Sequence, residues 1–224
     1  MNRKKFLFYG RLWCLTVGSA LAAGLILVLF GLFQQREIAG KIFWYLLGVD
    51  CLMAGGVCLL IVPFSTYLST VPLMLATGCR RKEVIRNFQI LKLLNILGIL
   101  AVLGIFLLLQ SVMGGDLVDK ERLRSTFLAG ILVLAACGSI GNLTGALSNI
   151  IGRWVLIIYM LVSGLAGGFV GVIMEISSGP EVETFGMILG DWRFLTAAVV
   201  AALLSCTADL IGSRLILRRT EVRC

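Results

Sequence analysis

The chain contains no histidine. That removes the usual zinc ligand and the side chain best suited to general-base work near neutral pH. No Gly-x-x-x-x-Gly-Lys-Ser/Thr loop is present; the single Gly-Lys pair, Gly40-Lys41, is followed by Ile42. The phosphate cradle of a nucleotide hydrolase is therefore missing. None of the seven cysteines forms a Cys-x-x-Cys pair, and most lie within apolar runs, where cysteine acts as a small hydrophobe. Charge is scarce at 14% of residues, and only 12 are acidic. Prolines number three: Pro63, Pro72 and Pro180.

What is present is apolar. Hydrophobic residues make up 59% of 224 residues and the mean hydropathy is +1.00, too high for a soluble domain of this size. Long apolar runs are bracketed by charge, and each is long enough to cross a hydrocarbon core of roughly 30 Å, which takes about 20 helical residues. The runs are continuous, not alternating, so helices are expected and a barrel is excluded. The expected spans are residues 12–33, 42–64, 91–113, 127–150, 153–174 and 194–213. The fourth carries Gly130, Gly138, Gly141 and Gly145 among Ser139, Asn142, Thr144, Ser148 and Asn149, and reads as interrupted. Six spans would use most of the chain as one transmembrane domain. The apolar run near the start continues past Ala20-Leu21-Ala22 to Phe33, which suits a retained signal anchor.

Charge sets the expected orientation. Arg3, Lys4, Lys5 and Arg11, then Arg80, Arg81, Lys82, Arg86 and Lys92, then Arg153, then Arg214, Arg218, Arg219 and Arg223 fall on one side, with Glu83 and Glu221. The positive-inside rule makes that side cytoplasmic, with both termini inside. The net charge of +8 is then a topology signal and does not point to nucleic acid. Trp13, Trp44, Trp154 and Trp192 all stand at expected span starts, at headgroup level.

Polar and small residues inside the spans are the candidate functional groups. Asp50 lies about 12 Å along the helix from Ile42. Asp209 lies five residues before Arg214. A charge at mid-bilayer costs about 2.5–3.5 kcal/mol on insertion scales, so each acid needs a partner, water or a proton. No intramembrane Lys or Arg is expected to pair with either. Asp209 is expected in a polar cluster of spans four and six, with Ser205, Thr207, Asn142, Ser148 and Asn149. Asp50 is equally open to a structural and a transport role. Gly141/Gly145, Gly164/Gly168 and Gly167/Gly171 are Gly-x-x-x-Gly spacings that let a second helix approach closely, within the chain rather than between chains.

The segment 65–95 is the most specific. Pro63 and Pro72 are expected to end the second span, and Gly78 to supply a turn. Arg80-Arg81-Lys82-Glu83 should then open a short amphipathic helix. Its apolar residues Val84, Ile85, Phe88 and Leu91 recur at helical intervals, and it should lie along the cytoplasmic membrane surface.

The order of apolar span, Pro72-Leu-Met-Leu-Ala-Thr-Gly78-Cys-Arg80-Arg81-Lys82-Glu83, amphipathic helix and new span resembles small bacterial ABC transporter permeases of the type-2 exporter class. In that family a small-Gly-x-x-Arg-Lys-Glu/Asp element follows the second span. The resemblance implies a bacterial inner-membrane permease subunit without its own ATPase activity or cofactor. It implies two kinds of partner: a cytoplasmic ABC-type ATPase and a second permease chain. The ATPase contact would be a coupling element at Leu75, Gly78, Arg80, Arg81, Lys82 and Glu83. The outer loop Glu175–Arg193 is shorter than in larger members. A proton-coupled secondary carrier and an accessory or immunity membrane protein are the other readings.

Overall fold

The computed structural model describes residues 3–34, 43–76, 81–113, 120–151, 154, 157 and 192–219. These form five long helices: α1 Arg3–Gln34, α2 Phe43–Ala76, α3 Arg81–Met113, α4 Lys120–Ile151 and α5 Trp192–Arg219. Helix is the form that satisfies every backbone group within one segment, which an apolar surround demands. Stretches of α1 to α4 are long and apolar enough to cross a membrane: Gly10–Leu29, Phe43–Val71, Lys82–Met113 and Leu123–Ser148. The described residues are all helical, consistent with a membrane protein.

Packing pairs fix the directions. Gly24 of α1 lies against Cys51 and Ser19 against Cys58, so α1 and α2 are antiparallel. Tyr45 meets Gln110 and Tyr67 stacks on Phe88, so α3 is antiparallel to α2. Tyr45 also meets Thr126, and Leu59 meets Gly141, so α4 runs parallel to α2. Ser139 meets Cys206 and Leu143 meets Gly212, so α5 runs parallel to α4. The chain leaves α4 at one end of the bundle and enters α5 at the other.

The core is a seam of branched aliphatics: Leu52 and Leu59 from α2, Ile96, Ile99, Leu103 and Leu107 from α3, and Leu134 from α4. A second cluster, Tyr67, Val71, Val84, Phe88 and Ala146, closes the end of the bundle where α2 finishes and α3 begins. The Trp13 indole of α1 donates to the Leu94 carbonyl at 2.8 Å and its ring covers Gly98.

Three expectations need correction. Proline does not end the second span: α2 continues through Pro63 and Pro72. Pro63 has no N–H for the Leu59 carbonyl, four residues earlier. That carbonyl instead faces the bare Cα of Gly141, where any Cβ would overlap it. Ser65 and Thr66 donate their hydroxyls to the Val62 carbonyl. Within membranes a proline in a helix is commonly accommodated where a neighbouring helix covers the freed carbonyl. Second, α4 is unbroken, because its glycines face partners that fill the space a side chain would take. Third, residues 81–91 are no separate surface helix. They are the first turns of α3, with Val84, Phe88 and Leu91 buried within the protein.

At the other end of the hairpin, Gln110 caps α2. Its side-chain oxygen accepts from the Tyr45 N–H at 3.2 Å. That N–H is among the first four of α2, which have no partner inside the helix. Gln110→Leu should cost about 1–3 kcal/mol, the penalty for a buried donor left unmade. Thermal unfolding in detergent should show it, while Ser111→Ala, which loses only a local bond to the Leu108 carbonyl, should change little.

Candidate functional site

Polar residues recur at one-turn spacing on three helices that converge. On α3 they are Gln89, Lys92 and Asn95; on α4, Ser139 and Asn142; on α5, Cys206, Asp209 and Ser213. Residues three or four apart share a helix face. The three faces meet.

At the centre is an ion pair. Lys92 Nζ lies 2.6 Å from Asp209 Oδ2, and the two side chains are 7% and 0% exposed. Gln89 Nε2 donates to the same oxygen at 3.0 Å. Lys92 also donates to Ser139 Oγ at 3.4 Å, and Ser139 Oγ lies 3.2 Å from Cys206 Sγ. The pair therefore joins α3 to α5, with α4 between them through one hydroxyl. Gly138 makes this reach possible. A Cβ there would stand 3.2 Å from Lys92 Cγ, so the glycine leaves the lysine stem its passage across α4.

The expectation that no basic residue could pair with either acid is thus overturned for Asp209. Lys92 belongs inside the bundle, eleven residues into α3, and not to a cytoplasmic loop. The cluster's membership changes too. Ser205 and Thr207 donate to carbonyls of their own helix. Ser148 does the same with the Gly145 carbonyl. The side chain of Asn149 lies outside the described residues.

The network is incompletely satisfied. Among the described residues, five buried side-chain polar atoms have no hydrogen-bond partner: Tyr67 OH, Asn95 Oδ1, Asn142 Nδ2, Asp209 Oδ1 and Ser213 Oγ. A buried polar group left unpaired costs about 1–3 kcal/mol, more when charged.

Asp50 sits elsewhere, half-buried in α2 between Gly48, which packs on Leu103, and Cys51, which packs on Gly24. Among the described residues no hydrogen bond or ion pair reaches it. Gly141 and Gly145 face α2: a Cβ on Gly145 would stand 2.8 Å from the Tyr67 ring and 3.1 Å from the Pro63 carbonyl oxygen. Gly164, Gly167, Gly168 and Gly171 lie outside the described residues.

The hairpin tip is the second candidate. Leu75 is in the last turn of α2. Arg81 opens α3, followed by exposed Lys82 and half-buried Glu83. Gly78 and Arg80 lie outside the described residues. Glu83 in the first turn complements the positive end of the α3 dipole. α2 is 34 residues and α3 is 33 residues. At 1.5 Å per residue each is about 50 Å long, well beyond the roughly 30 Å of a hydrocarbon core. The hairpin's basic end is stiffened by the Tyr67–Phe88 stack, with ring centroids 4.4 Å apart.

Sequence reasoning missed Lys92, Gln89 and Asn95 as site residues. The available signal was their three-residue spacing inside a run otherwise apolar from Phe88 to Leu109. No protein-family model, curated protein or solved structure matches this chain.

Proposed function

We propose that the chain is the membrane-spanning permease subunit of an ATP-driven exporter of the ABC type, embedded in the bacterial inner membrane. It would form the translocation pathway as a dimer and take its energy from a separate cytoplasmic ATPase. The observation that carries this reading is the α2–α3 hairpin. It is longer than a membrane is thick, braced by Tyr67, Val71, Val84 and Phe88, and ends in Arg81 and Lys82. A braced helical hairpin with a basic tip can pass a push at the tip into the core, because packed helices move as rigid elements. Its charge suits an acidic surface on the ATPase.

Six spans with both termini cytoplasmic accord with the helix directions. Parallel α4 and α5 require the intervening segment to return the chain to the opposite end, which a fifth span over residues 153–174 would do. A proton-coupled carrier is the second reading, favoured by the buried Lys92–Asp209 pair, since ionisable groups within membranes often mark ion or proton paths.

Arg81→Glu with Lys82→Glu should separate these readings. The first check is whether a neighbouring reading frame encodes a Walker-motif ATPase; co-expressed with it, the variant should insert normally. Its co-purification with the ATPase and its stimulated ATP turnover should fall about tenfold or more, as for charge reversal at a complementary interface. Unchanged turnover and pull-down would remove the hairpin tip as the docking surface. Transport by the chain alone, driven by a pH gradient, would establish the carrier.

A further inference from the structure

The polar junction of α2, α3, α4 and α5 has more hydrogen-bonding capacity than the described residues use. Each unpartnered atom belongs to the ion-pair network or stands within a turn of it. Asp209 Oδ1 is the second oxygen of the paired carboxylate, and Ser213 is four residues further along α5. Asn142 is three residues beyond Ser139, toward the same end of the bundle as Ser213, whereas Asn95, three beyond Lys92 on the oppositely directed α3, lies on the other side of the ion pair. The Tyr67 hydroxyl lies within electrostatic reach of Asp209, and the Tyr67 ring rests on Gly145, one turn from Asn142.

The chemistry of these atoms restricts what could satisfy them. Asn142 Nδ2 is a donor. Asp209 Oδ1 is an acceptor. The Tyr67 and Ser213 hydroxyls can do either. A cation would meet Lys92, and an anion would meet the Asp209 carboxylate. A small neutral molecule that both donates and accepts fits the set, and a buried water typically takes two to four such partners.

We propose that this junction is a water-binding site: an internal hydrated pocket beside the Lys92–Asp209 pair, bounded by Tyr67, Asn142 and Ser213. Water there gives both charges an alternative partner. It thereby lowers the cost of drawing α5 away from α3. The site depends on these side chains alone and not on which energy source drives the protein.

Radiolytic footprinting of the full chain in lipid nanodiscs tests it, because radicals generated from bound water oxidise the side chains that touch that water. Tyr67 is fully buried, as Phe64 nearly is, one turn earlier on α2. Tyr67 should oxidise clearly faster than Phe64, since ordered water is held by buried polar groups and not by an apolar ring. Asn142→Leu with Ser213→Ala should abolish that difference while leaving the rate at Tyr45 unchanged, which shows that the bundle is intact. Should that pair fail to fold, Ser213→Ala alone should still slow Tyr67 selectively. Equal protection of Tyr67 and Phe64 in the unaltered protein overturns the proposal. So does a Tyr67 rate that neither substitution alters.

Discussion

Asp209→Ala should be the most damaging single substitution in the protein's interior. The carboxylate is fully buried and neutralises a lysine that is 7% exposed. Removing it strands the Lys92 ammonium in a low-dielectric interior with only Ser139 to accept from it. Breaking a buried pair from one side costs about 3–5 kcal/mol, since the remaining charge stays desolvated. Native stabilities are themselves only about 5–15 kcal/mol, so folded yield and thermal midpoint should fall together. Lys92→Met combined with Asp209→Leu should recover most of the loss, because replacing both members by apolar groups of similar volume is often neutral. The measurement is a double-mutant cycle on thermal unfolding in detergent. If Asp209→Ala is no worse than the double variant, the two side chains do not form the coupled pair described.

If the pair serves motion, the double variant should be stable yet inactive. A well-packed apolar contact between α3 and α5 has no charged partner to exchange with water. Stability and activity would then part company at this site, as they do where a strained or costly group is kept for function.

The sequence carried the architecture well and the site badly, for separable reasons. Helix positions were legible because lipid permits few backbone solutions, and runs such as 91–113 are apolar for the length of a membrane. Boundaries were less so. Pro63 and Pro72 are breakers in isolated helices, but their effect depends on what covers the freed carbonyl. The covering residue, Gly141, is far away in sequence. Lys92 was assigned to a loop because its neighbours Arg80 to Arg86 are basic, and charge alone does not distinguish a flank from a first buried turn. Its partner is 117 positions away, a relation no local pattern encodes. Within helices the polar stripe Gln89, Lys92 and Asn95 was readable. Which helix it faced was not.

The close approach of Gly141 to the α2 backbone one turn before Pro63 supplies the second large prediction. Gly141→Leu should unfold the α2–α4 seam. Even the Cβ of alanine would overlap the Leu59 carbonyl oxygen and stand 3.0 Å from Leu60 Cα. Both obstacles are backbone, which cannot rotate away as a side-chain tip can. Forcing extra atoms into a packed interior costs about 1–3 kcal/mol and occasionally more. Here the two helix axes must separate along their length, which strips contacts from Leu52 and Leu59 as well. Gly56→Ala offers the contrast, since its Cβ would meet only the Cys137 sulfur at 3.5 Å, an ordinary contact. Alanine also forms helix more readily than glycine by about 1 kcal/mol, so Gly56→Ala should be neutral or slightly stabilising. Gly141→Ala should lie between the two extremes. Thermal midpoints in the order Gly56→Ala, Gly141→Ala, Gly141→Leu, from highest to lowest, would follow from backbone contact at residue 141. A Gly141→Leu protein as stable as the unaltered one would mean that α2 and α4 do not touch there.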